Sequence, residues 1–171
     1  MSYLWLAATI GIGVLQALQV VFLGAMNRAR GPAEATFVSI FGSLLGVSCI
    51  LLAQTLTDRG PELPPVFTSP WTMGGIGLGG GVLLATTVAG LPPYFALTGL
   101  LSIPYLLAAS WLGPRLGVAL FMSAIIAGQL IGGLTLDHLG AFGATPRPVD
   151  AVRLLGVAAL IIGVALIRGR R

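Results

Sequence analysis

The sequence predicts an all-α polytopic membrane protein, a bundle of five to six transmembrane helices. First, 56% of the 171 residues are hydrophobic and only 8% are charged, whereas a soluble domain carries roughly 25% charged residues. So few charges could not cover a water-facing surface. Second, the charges cluster in short breaks between long apolar runs. A run of about 18 apolar residues is long enough to cross ~30 Å of hydrocarbon as a helix.

Six apolar segments follow one another, and we interpret residues 1–171 as a single transmembrane domain. The segments are residues 3–26, 33–56, 71–91, 94–112, 118–136 and 152–167. The first is expected to be a retained helix. The breaks "NRARGP" and "TDRGPELPP" combine glycine, proline and charge, as loops do. Pro92 and Pro93 separate the third segment from the fourth, since proline removes a backbone donor and clashes within a helix.

The number of crossings depends on the third segment, which contains "MGGIGLGGG". Each glycine costs about 1 kcal/mol relative to alanine in a helix interior. If all six segments cross, the arginines show no bias, four against five: Arg28, Arg30, Arg147 and Arg153 face Arg59, Arg115, Arg168, Arg170 and Arg171. If residues 71–91 do not cross, Arg59, Arg147 and Arg153 face the other six, a better positive-inside pattern. An even division would also suit a chain that inserts in both orientations. Length favours six crossings and charge favours five, so both alternatives remain.

Composition also bears on the class of function. All nine basic residues are arginines in breaks or at the C-terminus. They form no basic stripe with aromatic residues between them, so no nucleic-acid partner is expected. Cys49 is the only cysteine, and we expect a small buried hydrophobe there. With one histidine, the chain has neither metal-ligand spacing nor a Ser-His-Asp arrangement. We therefore expect no enzymatic activity, no metal and no cofactor.

One stretch is distinctive enough to carry a resemblance. "LGPRLGVALFMSAIIAGQLIGGLTLDHLGAFG" holds a Pro-x-Leu-Gly turn, an apolar helix with a central Gly-Gln, and a Leu-x-x-Asp-His ending before a glycine. The matching residues are Pro114, Leu116, Gly117, Gly128, Gln129, Asp137, His138 and Gly140. This pattern resembles the YdcZ-like branch of the drug/metabolite transporter superfamily. The likeness continues through Gly156 and Gly163 and, more loosely, includes Gln16, Ser39, Phe41, Gly42 and Gly46.

The resemblance implies a small transporter subunit of the inner membrane, similar to one half of a drug/metabolite transporter. Residues 71–91 look like a segment added to the family's pattern. The small multidrug-resistance relatives use a glutamate in their first helix for proton exchange. Residues 3–26 hold no carboxylate, so that chemistry does not transfer to this chain.

Four residues are candidates for a substrate pathway: Gln16, Gln19, Gln129 and Trp111. An amide in hydrocarbon needs partners, so Gln129 should face protein or a water-filled cavity. The alternative for Gln129 is an interhelical hydrogen bond. Gln16 and Gln19 share a helix face. They could form a polar lining or a hydrogen-bonded interface. Trp111 could stack on a substrate or anchor the chain at the membrane interface.

Two further groups of residues have expected roles. Asp137 and His138, at the end of the fifth segment, are candidates for proton or ion coupling, with a structural cap or loop anchor as the alternative. The pairs Gly42/Gly46 and Gly128/Gly132 have the small-xxx-small spacing that allows close helix packing.

The expected function is a transporter subunit that exports an unknown small metabolite as a dimer. The expected partners are the lipid bilayer and a second copy, a paralogous chain or another membrane subunit, since one copy has few helices to enclose a pathway. The alternative is a non-transporting accessory or scaffold subunit of a larger membrane complex.

Overall fold

The computed structural model describes residues 3–57 and 63–169, and these form helices joined by turns. In chain order they are α1 (Tyr3–Arg30), α2 (Pro32–Leu56), α3 (Pro65–Thr68), α4 (Pro70–Val88), α5 (Leu97–Leu100), α6 (Ile103–Leu116), α7 (Val118–Leu139) and α8 (Ala151–Arg168). Single 3-10 turns occupy Pro93–Ala96 and Ala141–Gly143. Arg59, Arg170 and Arg171, which entered the arginine division, lie outside the described residues.

Local sequence signals explain where the long helices begin and end. Gly31, with φ 95°, precedes α2, whose first residue is Pro32; proline is favoured there because the first helical N–H has no partner in any case. Gly140 closes α7 in the left-handed conformation, with φ 59°, a common helix ending. Asp150 caps α8 by accepting the Arg153 N–H at 2.7 Å, which satisfies one of the unpaired donors of that helix.

Among the described residues, five helical stretches are long and apolar enough to cross a membrane: α1, α2, α4, Pro93–Leu116 and α7. This confirms the predicted fold class. The glycine-rich segment is one of the five, as α4. The sixth predicted segment forms α8, whose apolar part, Ala151–Ile167, is shorter.

The fourth crossing is a broken helix. It begins with the 3-10 turn Pro93–Ala96, continues as the single turn of α5, and resumes as α6 only after Leu101 and Ser102. Pro104 explains the break, because it has no N–H for the carbonyl group of Leu100, four residues earlier. The sequence predicts one continuous segment at 94–112, and Pro104 interrupts it.

The chain forms two compact units, one from residues 1–25 and 104–171 and the other from residues 26–103. The core of the first unit consists of Ala108, Leu112 and Leu116 on α6 with Phe121 and Ile125 on α7. In the second unit, α2 packs against α4 and α5. Large apolar side chains on many described helices are exposed, as hydrocarbon-facing surfaces are.

Candidate functional site

The first unit contains a crossing at which two backbones touch. A methyl group added at Gly13 of α1 would lie 2.9 Å from the Gly128 Cα atom and would overlap the Ile125 carbonyl oxygen. One added at Gly128 of α7 would overlap the carbonyl oxygen of Ile10. Only glycine permits so close an approach. One turn further along α7, a methyl group at Gly132 would lie 3.0 Å from the Ala17 Cβ atom.

Gln129 lies beside this crossing, near the middle of α7. It is half-buried, and no hydrogen bond joins its amide to any residue within 3–57 or 63–169. On α1, Gln16 donates from Nε2 to Oε1 of Gln19 at 3.3 Å, and Gln19 is only 8% exposed. The structure therefore brings two of the three amides together and leaves the third without a protein partner in the described chain.

Trp111 lies between an aromatic ring and a cation. Its ring meets that of Trp5 edge-on at a centroid distance of 4.7 Å, and the guanidinium carbon of Arg115 lies 3.9 Å from its centroid. The Trp111 side chain is 46% exposed. Aromatic rings with a neighbouring arginine are typical of membrane–water interfaces, which supports anchoring over substrate stacking.

Asp137 and His138 hold the loop that follows α7. The carboxylate Oδ2 of Asp137 lies 3.8 Å from Nη1 of Arg153, and its carbonyl oxygen accepts the Arg147 N–H at 2.8 Å. His138 accepts the Val149 N–H at its Nδ1 atom, at 3.3 Å. These contacts support the loop-anchor interpretation, while the coupling role stays a prediction. Arg153, sixteen residues away from its partner, was missed by sequence reasoning.

A second crossing lies in the second unit, where α2 meets α5. A methyl group at Gly42 would lie 2.9 Å from the Gly99 Cα atom. One turn later, at Gly46, it would meet only the side-chain ends of Ile103 and Leu100. The predicted packing glycines of α2 thus face the broken helix.

A cluster of hydroxyl groups adjoins this second crossing, and sequence reasoning missed it. Ser43 Oγ lies 3.0 Å from the Gly99 carbonyl oxygen and 2.8 Å from Ser102 Oγ, while Ser102 Oγ donates to Gly99 at 2.7 Å. In the sequence, only Ser102, two positions before Pro104, could have indicated this cluster. Ser43, Gly99 and Ser102 together form a serine cluster.

The glycine-rich helix α4 packs on α2 along one face. Methyl groups at Gly77 and Gly81 would contact Ser48 and Leu45 at ordinary distances of 3.5–3.6 Å, whereas Gly79 faces open space. Next to this contact lies an apolar groove of about 570 Å³, lined by Leu45, Cys49, Leu52, Gly77, Gly81 and Val82, among others. Cys49 is exposed there, so the expectation that it is buried was wrong; α4 contributes little side-chain bulk to cover it.

The first unit has an apolar pocket of its own, of about 400 Å³, where α8 lies against α1 and α7. It is lined by residues including Leu6, Ile10, Ala127, Ile161 and Val164. None of the predicted amides lines it, so it is not the polar pathway that the sequence suggested.

Comparison with known families agrees with the resemblance drawn from the α7 region. No curated protein and no solved structure matches the chain. A family model matches residues 76–166, which is more than half of the chain. The match starts inside α4, so residues 76–91 belong to the family's pattern, and our interpretation of residues 71–91 as an addition to it was wrong. The chain belongs to this family, described as "Putative inner membrane exporter, YdcZ", and it is a multi-pass protein of the inner membrane.

Proposed function

We propose that the chain exports a small metabolite across the inner membrane and that two chains together enclose the pathway. Membership of an exporter family supports the direction and the class of activity. The observation that supports a polar contact with substrate is the unsatisfied amide of Gln129.

An amide at the middle of a membrane helix is costly unless it forms hydrogen bonds, because hydrocarbon offers none. Neighbouring Gly128 is held against Ile10 and Gly13, so the backbone at this position is fixed. The Gln129 amide, which has two donors and one acceptor oxygen, can then bond a group that the single chain does not supply. A substrate passing this level of the membrane is such a group.

A second chain is proposed because transporters are commonly built from two repeats around a site near the midplane. One chain has only five helical stretches of sufficient length and composition within its described residues.

A second candidate is an accessory or scaffold subunit, and one observation favours it. Gln16 and Gln19, on the same helix, bond each other, so these two amides are already partly satisfied without a substrate. Under this candidate Gln129 bonds a partner subunit instead of a substrate.

The test compares metabolites in the growth medium of cells that produce the chain, Gln129→Leu or Gln54→Leu at equal abundance in the membrane. Gln54 is the matched control, because it is an exposed amide near the end of α2. We expect the chain to raise one or a few metabolites in the medium, measured by mass spectrometry. Gln129→Leu should abolish that rise, while Gln54→Leu should retain it.

Thermal unfolding of the purified variants separates the two candidates. Gln129→Leu should not lower the unfolding temperature if the amide serves substrate, because leucine needs no partner. Export by Gln129→Leu at the parental level would refute the polar-pathway idea. A medium unchanged by the chain itself, with a smaller assembly for Gln129→Leu in mild detergent, would favour the scaffold.

A further inference from the structure

The serine cluster carries more oxygen atoms than it has protons to bond them. Ser43 Oγ approaches the carbonyl oxygens of Ser39 at 2.7 Å and Gly99 at 3.0 Å, and Ser102 Oγ at 2.8 Å. Ser102 Oγ is also 2.7 Å from the Gly99 carbonyl oxygen. A hydroxyl group donates one proton, so the two hydroxyls supply two protons for these four contacts. Two of the four contacts therefore lack a proton of their own, and the Gly99 carbonyl oxygen also accepts the Ser102 N–H at 3.2 Å.

Thr98 adds a fifth oxygen atom, and the lack of a bonding partner for its hydroxyl group is a second, independent indication of a ligand. Its side chain is 0% exposed, and its hydroxyl oxygen has no hydrogen-bond partner in the described part of the chain. A buried unpaired hydroxyl costs about 1–3 kcal/mol. Thr98 precedes Ser102 by four residues, and Leu101 between them keeps near-helical angles of φ −67° and ψ −17°. At 3.6 residues per turn the two side chains are separated by about 40°, so Thr98 lies on the face of the cluster.

The position in the fold is one at which membrane transporters bind ions. Ser43 is near the middle of α2, and Gly99 lies where the helical turn α5 ends before the break. The carbonyl end of a helical segment is the negative end of its dipole. Carbonyls at interrupted helices near mid-membrane are typical ligands of coupling cations.

The donor set indicates the charge and size of the ion. Hydroxyl and carbonyl oxygens are ligands of hard cations, and none of these five oxygens belongs to a carboxylate, which a divalent ion would need. The oxygen–oxygen separations of 2.7–3.0 Å are hydrogen-bond distances, so the oxygens must move apart to surround an ion, and a small ion requires less movement than a large one. We therefore propose that Ser43, Thr98 and Ser102 hydroxyls, with the carbonyl oxygens of Ser39 and Gly99, bind a sodium ion.

The role of this ion rests on the proposed function, because sodium entering through an exporter would drive substrate outward. Binding itself does not depend on that function. The site lies in the second unit and uses none of the amides proposed to meet substrate, so ion and substrate contacts can be tested separately.

The experiment measures thermal unfolding of the full chain in mild detergent against NaCl or KCl, with choline chloride keeping the ionic strength constant. A ligand that binds the folded state raises the unfolding temperature in a saturable way. We expect sodium to give such a rise and potassium to give none.

Thr98→Val is the decisive variant, because it removes a hydroxyl that has no partner and keeps the side-chain shape. In the absence of sodium its unfolding temperature should equal or exceed that of the parent. The sodium concentration at half-maximal rise should increase by on the order of tenfold or more, since even outer-shell partners of metals contribute about 10–100-fold. Ser43→Ala should weaken the sodium response similarly.

Ser123→Ala is the matched control, because that hydroxyl bonds only the Ala119 carbonyl of its own helix in the first unit. It should keep the full sodium response. A parent protein without a saturable sodium rise, or with an equal rise in potassium, would overturn the proposal; so would an undiminished response in both Thr98→Val and Ser43→Ala. A sodium response without any exported metabolite would leave the ion site standing and count against the exporter alone.

Discussion

The two crossings of the molecule use the same packing device around different polar groups. In the first unit Gly13 meets Gly128, and in the second Gly42 meets Gly99. Both α1 and α7 are continuous through their crossing, so their backbone groups are paired within the helices and the polar group nearby is the side chain of Gln129. At the other crossing one partner is broken, and the polar group is the Gly99 carbonyl oxygen itself.

The two crossings therefore keep polar groups inside the hydrocarbon in two different ways. A side-chain amide on an intact helix can be replaced without disturbing the backbone hydrogen bonds. Near the break, the Gly99 carbonyl oxygen accepts the Ser102 N–H at 3.2 Å and is also approached by the hydroxyl groups of Ser43 and Ser102. The first arrangement leaves Gln129 free to bond a ligand, whereas the second surrounds Gly99 with hydroxyls.

The largest effect should come from a methyl group between the two backbones of the first crossing. Gly128→Ala should destabilise the protein by about 1–3 kcal/mol, as overpacking does, because the neighbouring atoms are backbone atoms that cannot rotate away. The free energy of unfolding in mixed micelles measures this loss.

Gly133→Ala, on the same helix, is the control for that measurement. A methyl group there would meet nothing within 4 Å, and alanine gains up to about 1 kcal/mol over glycine in a helix. If Gly128→Ala were as stable as Gly133→Ala, the backbone contact would not exist in the membrane protein.

An intermediate effect is expected from the second crossing. Gly46→Ala meets only the ends of Ile103 and Leu100, which can change rotamer, whereas Gly42→Ala meets the Gly99 backbone. We expect Gly46→Ala to lose less than about 1 kcal/mol and Gly42→Ala to approach the loss at Gly128. The same unfolding assay ranks them, and a reversed order would show that the broken helix yields more easily than side chains do.

The smallest effect concerns the ion pair, which belongs to neither crossing. The side chains of Asp137 and Arg153 are 44% and 35% exposed, and their nearest charged atoms are 3.8 Å apart. Partly exposed pairs at this distance contribute about 0–1 kcal/mol, so Asp137→Asn should change the free energy of unfolding by about 1 kcal/mol or less, although the Arg153 Nη1 atom is itself buried without a hydrogen-bond partner among the described residues. A double-mutant cycle with Arg153→Gln measures the pair itself. A coupling well above this range would mean that the membrane shields the pair from water.

The sequence could predict the helices and the packing glycines of α2 and α7, because composition and spacing are local properties. The four-residue interval between Gly128 and Gly132 marks a face, and that face indeed lies on α1. The partner could not be predicted in the same way. Gly13 and Ala17 have the same four-residue interval and lie against Gly128 and Gly132, but Ala7 and Gly11 on the same helix have that interval too, so spacing alone does not identify the contact face.

The contacts of the serine cluster and of Arg153 are a second kind of feature that could not be predicted from the sequence. Serine within a helix usually bonds its own backbone, as Ser123 does, so Ser43 carried no separate signal. Its contact with Ser102, fifty-nine residues away, depends on how α2 packs against the broken helix. Likewise, Arg153 reaches Asp137 only because the loop after α7 folds back. Long-range geometry of this kind is set by packing and not by any pattern in the chain.

The groove between α2 and α4 gives the molecule a reporter of its own. Cys49 is the only cysteine, and its thiol is exposed on the groove wall. A spin label or an environment-sensitive fluorophore attached there would report on a single position without any substitution elsewhere. Its spectrum would record whether lipid, detergent or another helix fills the groove.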